Sequence, residues 1–333
     1  MTDVLSLSSD ELADLAAPAD YLEAVRAGYR QRGEGAPAAP RTTLRAEHTG
    51  GMLTSYLTIL PDSGYMGGYT YAAGFETGDA WFVLPLFDAD AGELIAILDG
   101  AAMNPFKTGA VGAVGTDALA REDAAVLGVI GAGTQARGQI LATATVRAFD
   151  RVLIFSPTAA RREQTAAELD GQLDAMVEPV DSARAVVEQA DVLVTATTSG
   201  EPVFDGEWVQ PGTHITAMGQ YDPDRREVDT TTIERATYVP DLRERIHSDA
   251  GAFIQARQDG AVTDNHVHGE LGEVVAGVVP GRTDPSEITF LDSGGTAIET
   301  VAAGGMLYER AVAAGRGTTI EWSPASEAFI GRE

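Results

Sequence analysis

The sequence contains no cysteine, almost no lysine and no long apolar run. The absence of cysteine from its 333 residues excludes disulfides, thiol catalysis and cysteine-ligated metal sites. Of the 23 basic side chains, one is a lysine, Lys107, and the others are arginines. No stretch approaches the roughly 18 consecutive apolar residues of a membrane span, and the first residues lack the basic and apolar regions of a signal peptide. We therefore expect a cytoplasmic protein with no membrane partner.

Acidic side chains are in large excess. The 50 Asp and Glu residues give the chain a formal net charge of −27 at pH 7. Such a charge repels nucleic-acid phosphates, so we expect no nucleic-acid partner. The acids are spread along the whole chain, which is typical of halophilic proteins, because a salt-rich cytoplasm screens their mutual repulsion. The alternative interpretation is an ordinary acidic enzyme.

The pattern of predicted elements changes near residue 104. Before it, strand-like segments at residues 52–60, 68–73, 81–87 and 94–98 follow one another without helices, as in an antiparallel sheet. After it, strands alternate with helices, which is typical of a parallel doubly wound sheet. We therefore predict an α/β protein with two domains. A Rossmann doubly wound domain covers residues 116–299, and a discontinuous α+β domain covers residues 1–115, completed by about 300–333.

The strongest local signal is a glycine-rich turn between a strand and a helix, VLGVIGAGTQA at residues 126–136. Gly131 permits the tight turn, Gly133 lets the backbone approach a pyrophosphate, and Ala136 is the third small residue. The phosphates would face free N–H groups at the positive end of the helix dipole. Because the turn follows a strand and opens a helix, it predicts a dinucleotide site.

The end of the next strand bears on the choice of dinucleotide. NAD enzymes usually have an acid there for the ribose 2′-hydroxyl, whereas this chain has Ser156. Arg161 and Arg162 follow within a turn and suit a 2′-phosphate; alternatively, they are solvated helix residues. We favour NADP(H) as the cofactor, with NAD(H) as the second possibility.

Several motifs together resemble the ornithine cyclodeaminase/mu-crystallin family. They are GAGTQAR at residues 131–137, ADVLVTATTS and PVF within residues 190–204, PGTHITAMG at residues 211–219, RREVD at residues 225–229 and the stretch 281–299. The resemblance implies a homodimer, in which the discontinuous domain binds substrate and forms the dimer, with an active site between the domains. Family members exchange a hydride between a nicotinamide and an amino or imino carbon next to a carboxylate; the cyclodeaminases return that hydride.

The resemblance also implies roles for individual residues. Arg41 matches the arginine that clamps the substrate carboxylate, a role that suits a bidentate donor. Gly294 and Gly295 match the segment that closes over the site. Further residues match positions that contact the cofactor in the family. With the glycine-rich turn and Arg161 included, the predicted cofactor-binding residues are Thr108, Gly131, Gly133, Thr134, Gln135, Ser156, Arg161, Thr197, Met218 and Gly219.

Three positions depart from the family pattern. Lys107 replaces the usual arginine, Tyr69 replaces the lysine that polarises the substrate, and Tyr221 replaces the catalytic aspartate, with Asp222 one place later. Each tyrosine either donates a proton or packs as an aromatic side chain at a cleft, and Asp222 either reaches the site or caps the turn at Pro223. Our catalytic candidates are Tyr69, Lys107, Tyr221 and Asp222, and Tyr69 and Lys107 are also predicted to bind substrate.

These departures bear on three hypotheses for the function. We favour an NAD(P)H-dependent oxidoreductase that interconverts an imino or keto acid and an amino acid, resembling a ketimine reductase or an alanine dehydrogenase. It needs cofactor geometry, a carboxylate clamp and one proton donor, whereas an ornithine cyclodeaminase-type lyase that releases ammonia needs further acid–base groups. The third hypothesis is a non-catalytic NADP(H)-binding protein. We predict no metal site, because His266, His268 and Glu270 have no evident further ligand.

Overall fold

The structure is a computed structural model that describes residues 2–46, 48–76 and 78–325. The strands are β1 (Thr2–Leu7), β2 (Thr42–Arg45), β3 (Met52–Leu60), β4 (Tyr65–Ala73), β5 (Trp81–Asp88), β6 (Leu94–Asp99), β7 (Val126–Ile130), β8 (Arg151–Phe155), β9 (Met176–Pro179), β10 (Val192–Thr195), β11 (His214–Ala217), β12 (Ala236–Pro240), β13 (Ile288–Asp292) and β14 (Thr318–Trp322). The α-helices are α1 (Ser9–Leu12), α2 (Pro18–Gly33), α3 (Asn104–Leu119), α4 (Thr134–Thr143), α5 (Ala159–Leu169), α6 (Ala183–Val187), α7 (Thr230–Arg235), α8 (Gly251–Gln258), α9 (Leu271–Val275) and α10 (Ala297–Ala314).

The first sheet has seven strands in the order β14-β1-β6-β5-β4-β3-β2. Strands β2 to β6 form an antiparallel meander, whereas β1 pairs parallel to β6. Along β3, Thr54, Tyr56 and Thr58 are buried and the residues between them face outwards, as the two-residue period of a strand requires. The buried face packs against α10, so the end of the chain completes the first structural unit.

The second sheet has seven parallel strands in the order β12-β13-β11-β10-β7-β8-β9. Its central strands are apolar and buried along their length, as expected when helices cover both faces. The chain winds outwards in one direction from β7 and in the other from β10. Ligands of doubly wound sheets bind at such a reversal, outside the carboxyl ends of the strands.

The predicted fold class is confirmed, because the structure combines a parallel sheet with a separate, mainly antiparallel one. The domain limits stay a prediction, and both fall inside helices, α3 and α10. Strands β3 and β8 have the predicted bounds. Within the described ranges, no helix is long and apolar enough to cross a membrane.

Candidate active site

The two sheets meet at a cleft of about 400 Å³. On the side of the second sheet, its walls come from segments that follow the strands β7, β10, β11 and β13. On the side of the first sheet, they come from Arg41, from α3 and from the aromatic side chains Tyr56, Tyr71 and Phe82. The cleft therefore lies at the winding reversal of the second sheet.

The glycine-rich turn forms one wall of this cleft. Gly131 has φ +128°, and a Cβ there would lie 2.3 Å from the carbonyl oxygen of Ala196, so only glycine fits. A Cβ added at Gly133 would meet no atom within 4 Å, which leaves the backbone at the start of α4 open. In the described part of the chain, the buried Oε1 of Gln135 has no hydrogen-bond partner. The open backbone N–H groups of this turn fit the pyrophosphate of a nicotinamide dinucleotide.

Ser156 lies outside the cleft lining, at the end of β8. It is buried, and its backbone carbonyl accepts a hydrogen bond of 2.9 Å from Nη1 of Arg162. Arg162 also forms an ion pair with the exposed Asp181, whereas Arg161 is exposed on the first turn of α5. Of the two arginines predicted beside a 2′-phosphate, Arg162 therefore already has protein partners.

Arg41 joins the first sheet to the loop that follows β13. Its Nη2 donates to the carbonyl oxygens of Gly294 and Gly295, at 2.7 and 3.1 Å, and its Nη1 lies 3.0 Å from Oδ2 of Asp249. The guanidinium carbon lies 4.4 Å from the centroid of the Tyr221 ring. Four predicted site residues thus meet here, and the Nε of Arg41 has no partner among the residues that the structure describes.

Lys107 lies on α3 and lines the same cleft. Its side chain is only 3% exposed, and Nζ lies 3.5 Å from Oε1 of Glu299. Burial lowers the pKa of Lys107, and the neighbouring Glu299 opposes this shift. Sequence reasoning missed Glu299, although the capping-box pattern of Thr296 and Glu299 at the start of α10 was an available signal for its position.

Two of the catalytic candidates lie outside the cleft lining. Tyr69 is fully buried, and its hydroxyl donates to the carbonyl oxygen of Gly100 at 2.6 Å; burial raises the pKa of Tyr69 far above its ordinary value. Asp222 forms an ion pair with Arg45, and its Oδ1 accepts the backbone N–H of Asp224. These are the contacts of an aromatic core residue and of a turn, so the catalytic roles of both side chains stay predictions.

A buried arginine lies next to the cleft, behind the residues that line it. Arg245 is 1% exposed and forms ion pairs with Asp241 and Asp249, each at 2.6 Å, and with Asp292 at 3.3 Å. Burial raises the pKa of Asp241 to about 6, against the opposing effect of Arg245. Asp249 bridges Arg245 and Arg41. The regular spacing of Asp241, Arg245 and Asp249 by four residues was the signal in the sequence for this group.

Glu227 holds two loops that line the cleft. Its carboxylate accepts the backbone N–H groups of Thr197 and Gly219, at 2.6 and 2.7 Å. Burial raises the pKa of Glu227, and these hydrogen bonds oppose the shift. Thr197, Met218 and Gly219, predicted to contact the cofactor, therefore lie together in the cleft wall.

The residues predicted not to form a metal site lie elsewhere. Nε2 of His266 is 2.7 Å from the carbonyl oxygen of Ile233, and Nε2 of His268 is 2.8 Å from that of Pro280. Glu270 is buried, and its Oε1 lies 2.6 Å from Nε of Arg32. These contacts tie the segment to neighbouring elements.

Comparison with known proteins identifies the family. The model of the ornithine cyclodeaminase/mu-crystallin family matches residues 9–315. The chain belongs to this family. It is 35% identical over 236 residues to the alanine dehydrogenase of Archaeoglobus fulgidus, a match that covers 70% of this chain and 71% of that protein. The resemblance drawn from the sequence motifs is therefore confirmed.

Solved structures of the ornithine cyclodeaminase/mu-crystallin fold agree closely with this one. Δ1-pyrroline-2-carboxylate reductase of Thermococcus litoralis, in complex with NADH and L-proline, is 32% identical and gives a TM-score of 0.91 over 95% of this chain and 100% of that chain. An archaeal alanine dehydrogenase dimer with bound NAD is 29% identical and gives a TM-score of 0.90 over 97% of this chain and 100% of that chain.

Proposed function

We propose that this protein is an NAD(P)H-dependent oxidoreductase that interconverts an α-imino or α-keto acid and an amino acid. The observation that carries the proposal is the cleft, in which the glycine-rich turn faces two cations, Arg41 and Lys107. Its similarity to an alanine dehydrogenase and to a reductase solved with NADH and L-proline supports the same reaction class.

Different residues of the cleft bind the cofactor and the substrate. A bound reduced nicotinamide supplies a hydride. The open backbone at Gly133 holds the pyrophosphate, and Thr197 and Gly219, fixed by Glu227, support the nicotinamide end. Arg41 binds the substrate carboxylate through Nε, which has no partner among the described residues, and so orients the carbon that is reduced.

The charge of the cleft restricts the substrate side chain. Within the described residues, the cleft lining contains Arg41 and Lys107 but no Asp or Glu, although the chain has 50 acids. The side-chain ammonium of ornithine or lysine would find no carboxylate in this lining, because Asp249 and Glu299 lie behind it and pair with Arg41 and Lys107. We therefore propose a substrate without a positively charged side chain, and this favours the oxidoreductase over the cyclodeaminase.

We also propose that two copies assemble through the outer face of the first sheet. In the strand registers of β2 to β5, no charged side chain faces outwards. The exposed apolar residues on this face are Leu44, Leu53, Leu57, Ile59, Trp81 and Val83. A face of this kind in a chain of charge −27 fits an apolar partner surface, and the dimer of the archaeal alanine dehydrogenase supports a second copy as that partner.

A screen of imino and keto acids with NADPH and NADH, in molar KCl, tests the reaction. We expect absorbance of the reduced nicotinamide to fall with an acid whose side chain carries no positive charge, in the presence of ammonia for the keto acids. Ammonia release from ornithine without net cofactor oxidation would support the lyase instead. Tight NADPH binding with neither signal would support the non-catalytic hypothesis.

A further inference from the structure

Apart from its histidines, the chain has one basic side chain that is not an arginine, and that side chain lies in the cleft. Arginine stays charged in proteins, whereas a buried lysine can lose its proton. Of the 23 Lys and Arg residues, Lys107 is the one lysine, and its side chain is 3% exposed. A cation needed only to bind a carboxylate could be an arginine, as at Arg41. The presence of lysine at position 107 therefore points to proton transfer.

The ammonium of Lys107 is held from two sides. Nζ lies 3.5 Å from Oε1 of Glu299 and 5.3 Å from the centroid of the Tyr69 ring. Glu299 is itself fixed, because its carboxylate accepts the backbone N–H of Thr296 at 2.6 Å and the hydroxyl of Tyr29 at 3.2 Å. A fixed carboxylate and an aromatic face leave the ammonium little freedom, as a proton donor of defined position requires.

We propose that Lys107 is the general acid of the reduction and that Glu299 is the positioning residue for its ammonium. This assignment rests on the proposed function. A reduced nicotinamide bound at the glycine-rich turn would supply a hydride to the carbon of the substrate C=N bond and be oxidised by this transfer, and the π electron pair would move to nitrogen. The new N–H bond takes its proton from Nζ of Lys107. The imine gains the hydride and this proton and becomes the amine, and the neutral lysine is reprotonated from solvent.

The groups around Nζ set the pH dependence. They are Glu299 on α10, the ring of Tyr69 on β4, Arg41 before β2 and Asp241 after β12. Burial and Arg41 lower the pKa of Lys107, while Glu299 and Asp241 oppose them, and the lowering prevails. Reduction needs the charged form, so its rate falls as pH rises through this lowered pKa. Oxidation of the amino acid needs the neutral form and gains rate over the same range.

Three substitutions separate proton donation from charge. Lys107→Arg keeps the cation, and we expect it to lower kcat of reduction about 100-fold or more, to change KM less, and to remove the alkaline limb of the pH profile. Glu299→Gln removes the countercharge, so it should move the alkaline limb to lower pH, and Glu299→Asp should restore part of that shift. Glu309→Gln, at an exposed carboxylate of the same helix α10 that does not line the cleft, is the matched control, and we expect the alkaline limb to stay in place.

The single lysine also allows a measurement that does not depend on turnover. Labelling with lysine enriched in ¹⁵N at Nζ gives one side-chain resonance, which the Lys107→Arg protein must lack. We expect it to titrate below about 10.4, the ordinary pKa of lysine. Titration at or above that value would overturn the assignment, as would a correctly folded Lys107→Arg enzyme with kcat within threefold of wild type, while leaving the oxidoreductase function intact. A wild-type protein that reduces none of the tested acids would overturn the proposed function and this assignment with it.

Discussion

At the scale of single residues, the proposed function depends on Arg41 as the group that binds the substrate carboxylate. A charge-assisted hydrogen bond contributes about 1.5–3 kcal/mol, or about 10- to 150-fold in binding. We therefore expect Arg41→Ala to lower kcat/KM at least tenfold, mainly by raising KM. Arg30→Ala, at an exposed arginine of α2, is the matched control and should stay within twofold of wild type. Unchanged kcat/KM in a folded Arg41→Ala protein would exclude Arg41 as the carboxylate clamp.

Ser156 is the residue on which the cofactor prediction depends. A carboxylate at this position would repel the 2′-phosphate of NADPH. The repulsion is several kcal/mol at most, which is enough for about tenfold discrimination against NADPH. We expect wild type to bind NADPH more tightly than NADH in a fluorescence titration, and Ser156→Asp to reverse the order. Ser156→Ala, which adds no charge, should keep the wild-type preference. A tenfold preference of the wild-type protein for NADH would contradict the NADP(H) assignment. The ion pair of Arg162 with Asp181 would then be the reason, because it occupies the arginine that the 2′-phosphate would need.

The sequence anticipates one part of the site better than the other. Residues that follow strands of the second sheet, such as Thr197 and Gly219, could be placed because the carboxyl ends of parallel strands share one edge. Glu299 and Asp249 could not, because they act through pairing with Lys107 and Arg41, which are 192 and 208 positions away along the chain. Local patterns mark Glu299 as a helix-capping residue and Asp249 as part of a four-residue series, but their pairing with Lys107 and Arg41 is set by packing between elements.

At the scale of elements, α3 and α4 carry the two halves of the site close together. Lys107 and Thr108 lie on α3, and Thr134 and Gln135 open α4. Glycines make this approach possible, since a Cβ at Gly138 of α4 would lie 2.3 Å from the backbone carbonyl oxygen of Pro105. The distance between Lys107 and the dinucleotide turn therefore depends on a close backbone contact between the two helices.

A pair of alanine substitutions tests this helix contact. Gly138→Ala forces backbone against backbone, and such overpacking costs about 1–3 kcal/mol. Gly112→Ala is the matched control, because the atoms nearest its Cβ belong to the end of the Gln139 side chain rather than to backbone. We expect a lower melting temperature and weaker dinucleotide binding for Gly138→Ala, and a much smaller change for Gly112→Ala, where the better helix propensity of alanine offsets part of the cost. Equal melting temperatures would show that α3 and α4 have room to separate.

Elements were predictable where local pattern decides them. Strand β3 alternates buried and exposed residues, and β7 ends in the glycine-rich turn, so both could be recognised from the sequence. Strands β1, β2, β13 and β14 were missed. Strand β1 pairs with β14, more than 300 residues later in the chain, and β13 is buried on every residue, which gives it no period.

At the scale of the whole molecule, an uncharged outer sheet face coexists with a charge of −27. Trp81 is 74% exposed on that face, and Trp322, on β14 at the far edge of the sheet, is 49% exposed. We expect Trp81→Glu to dissociate the dimer in sedimentation experiments in molar KCl, because it introduces charge into an apolar contact. Trp322→Glu is the matched control and should leave the dimer intact. A monomeric wild-type protein would contradict the proposed assembly.

The same charge governs how the fold responds to salt. Self-repulsion acts over the screening length, which shortens from about 10 Å at 0.1 M to about 3 Å at 1 M salt. Like charges also meet locally, since Asp3 of β1 lies directly opposite Glu321 of β14 in the strand register. We therefore expect the melting temperature to rise steeply between these salt concentrations, as measured by calorimetry at constant protein concentration.

Asp3→Asn separates screening from the other effects of salt. It removes one member of the Asp3–Glu321 pair, so it should raise the melting temperature at 0.1 M salt and have little effect at 1 M, where the repulsion is already screened. A salt that acted only by strengthening apolar burial would stabilise the wild-type and Asp3→Asn proteins equally. A melting temperature that does not change with salt would contradict the interpretation of the acidic composition as an adaptation to a salt-rich cytoplasm, and would leave an ordinary acidic enzyme.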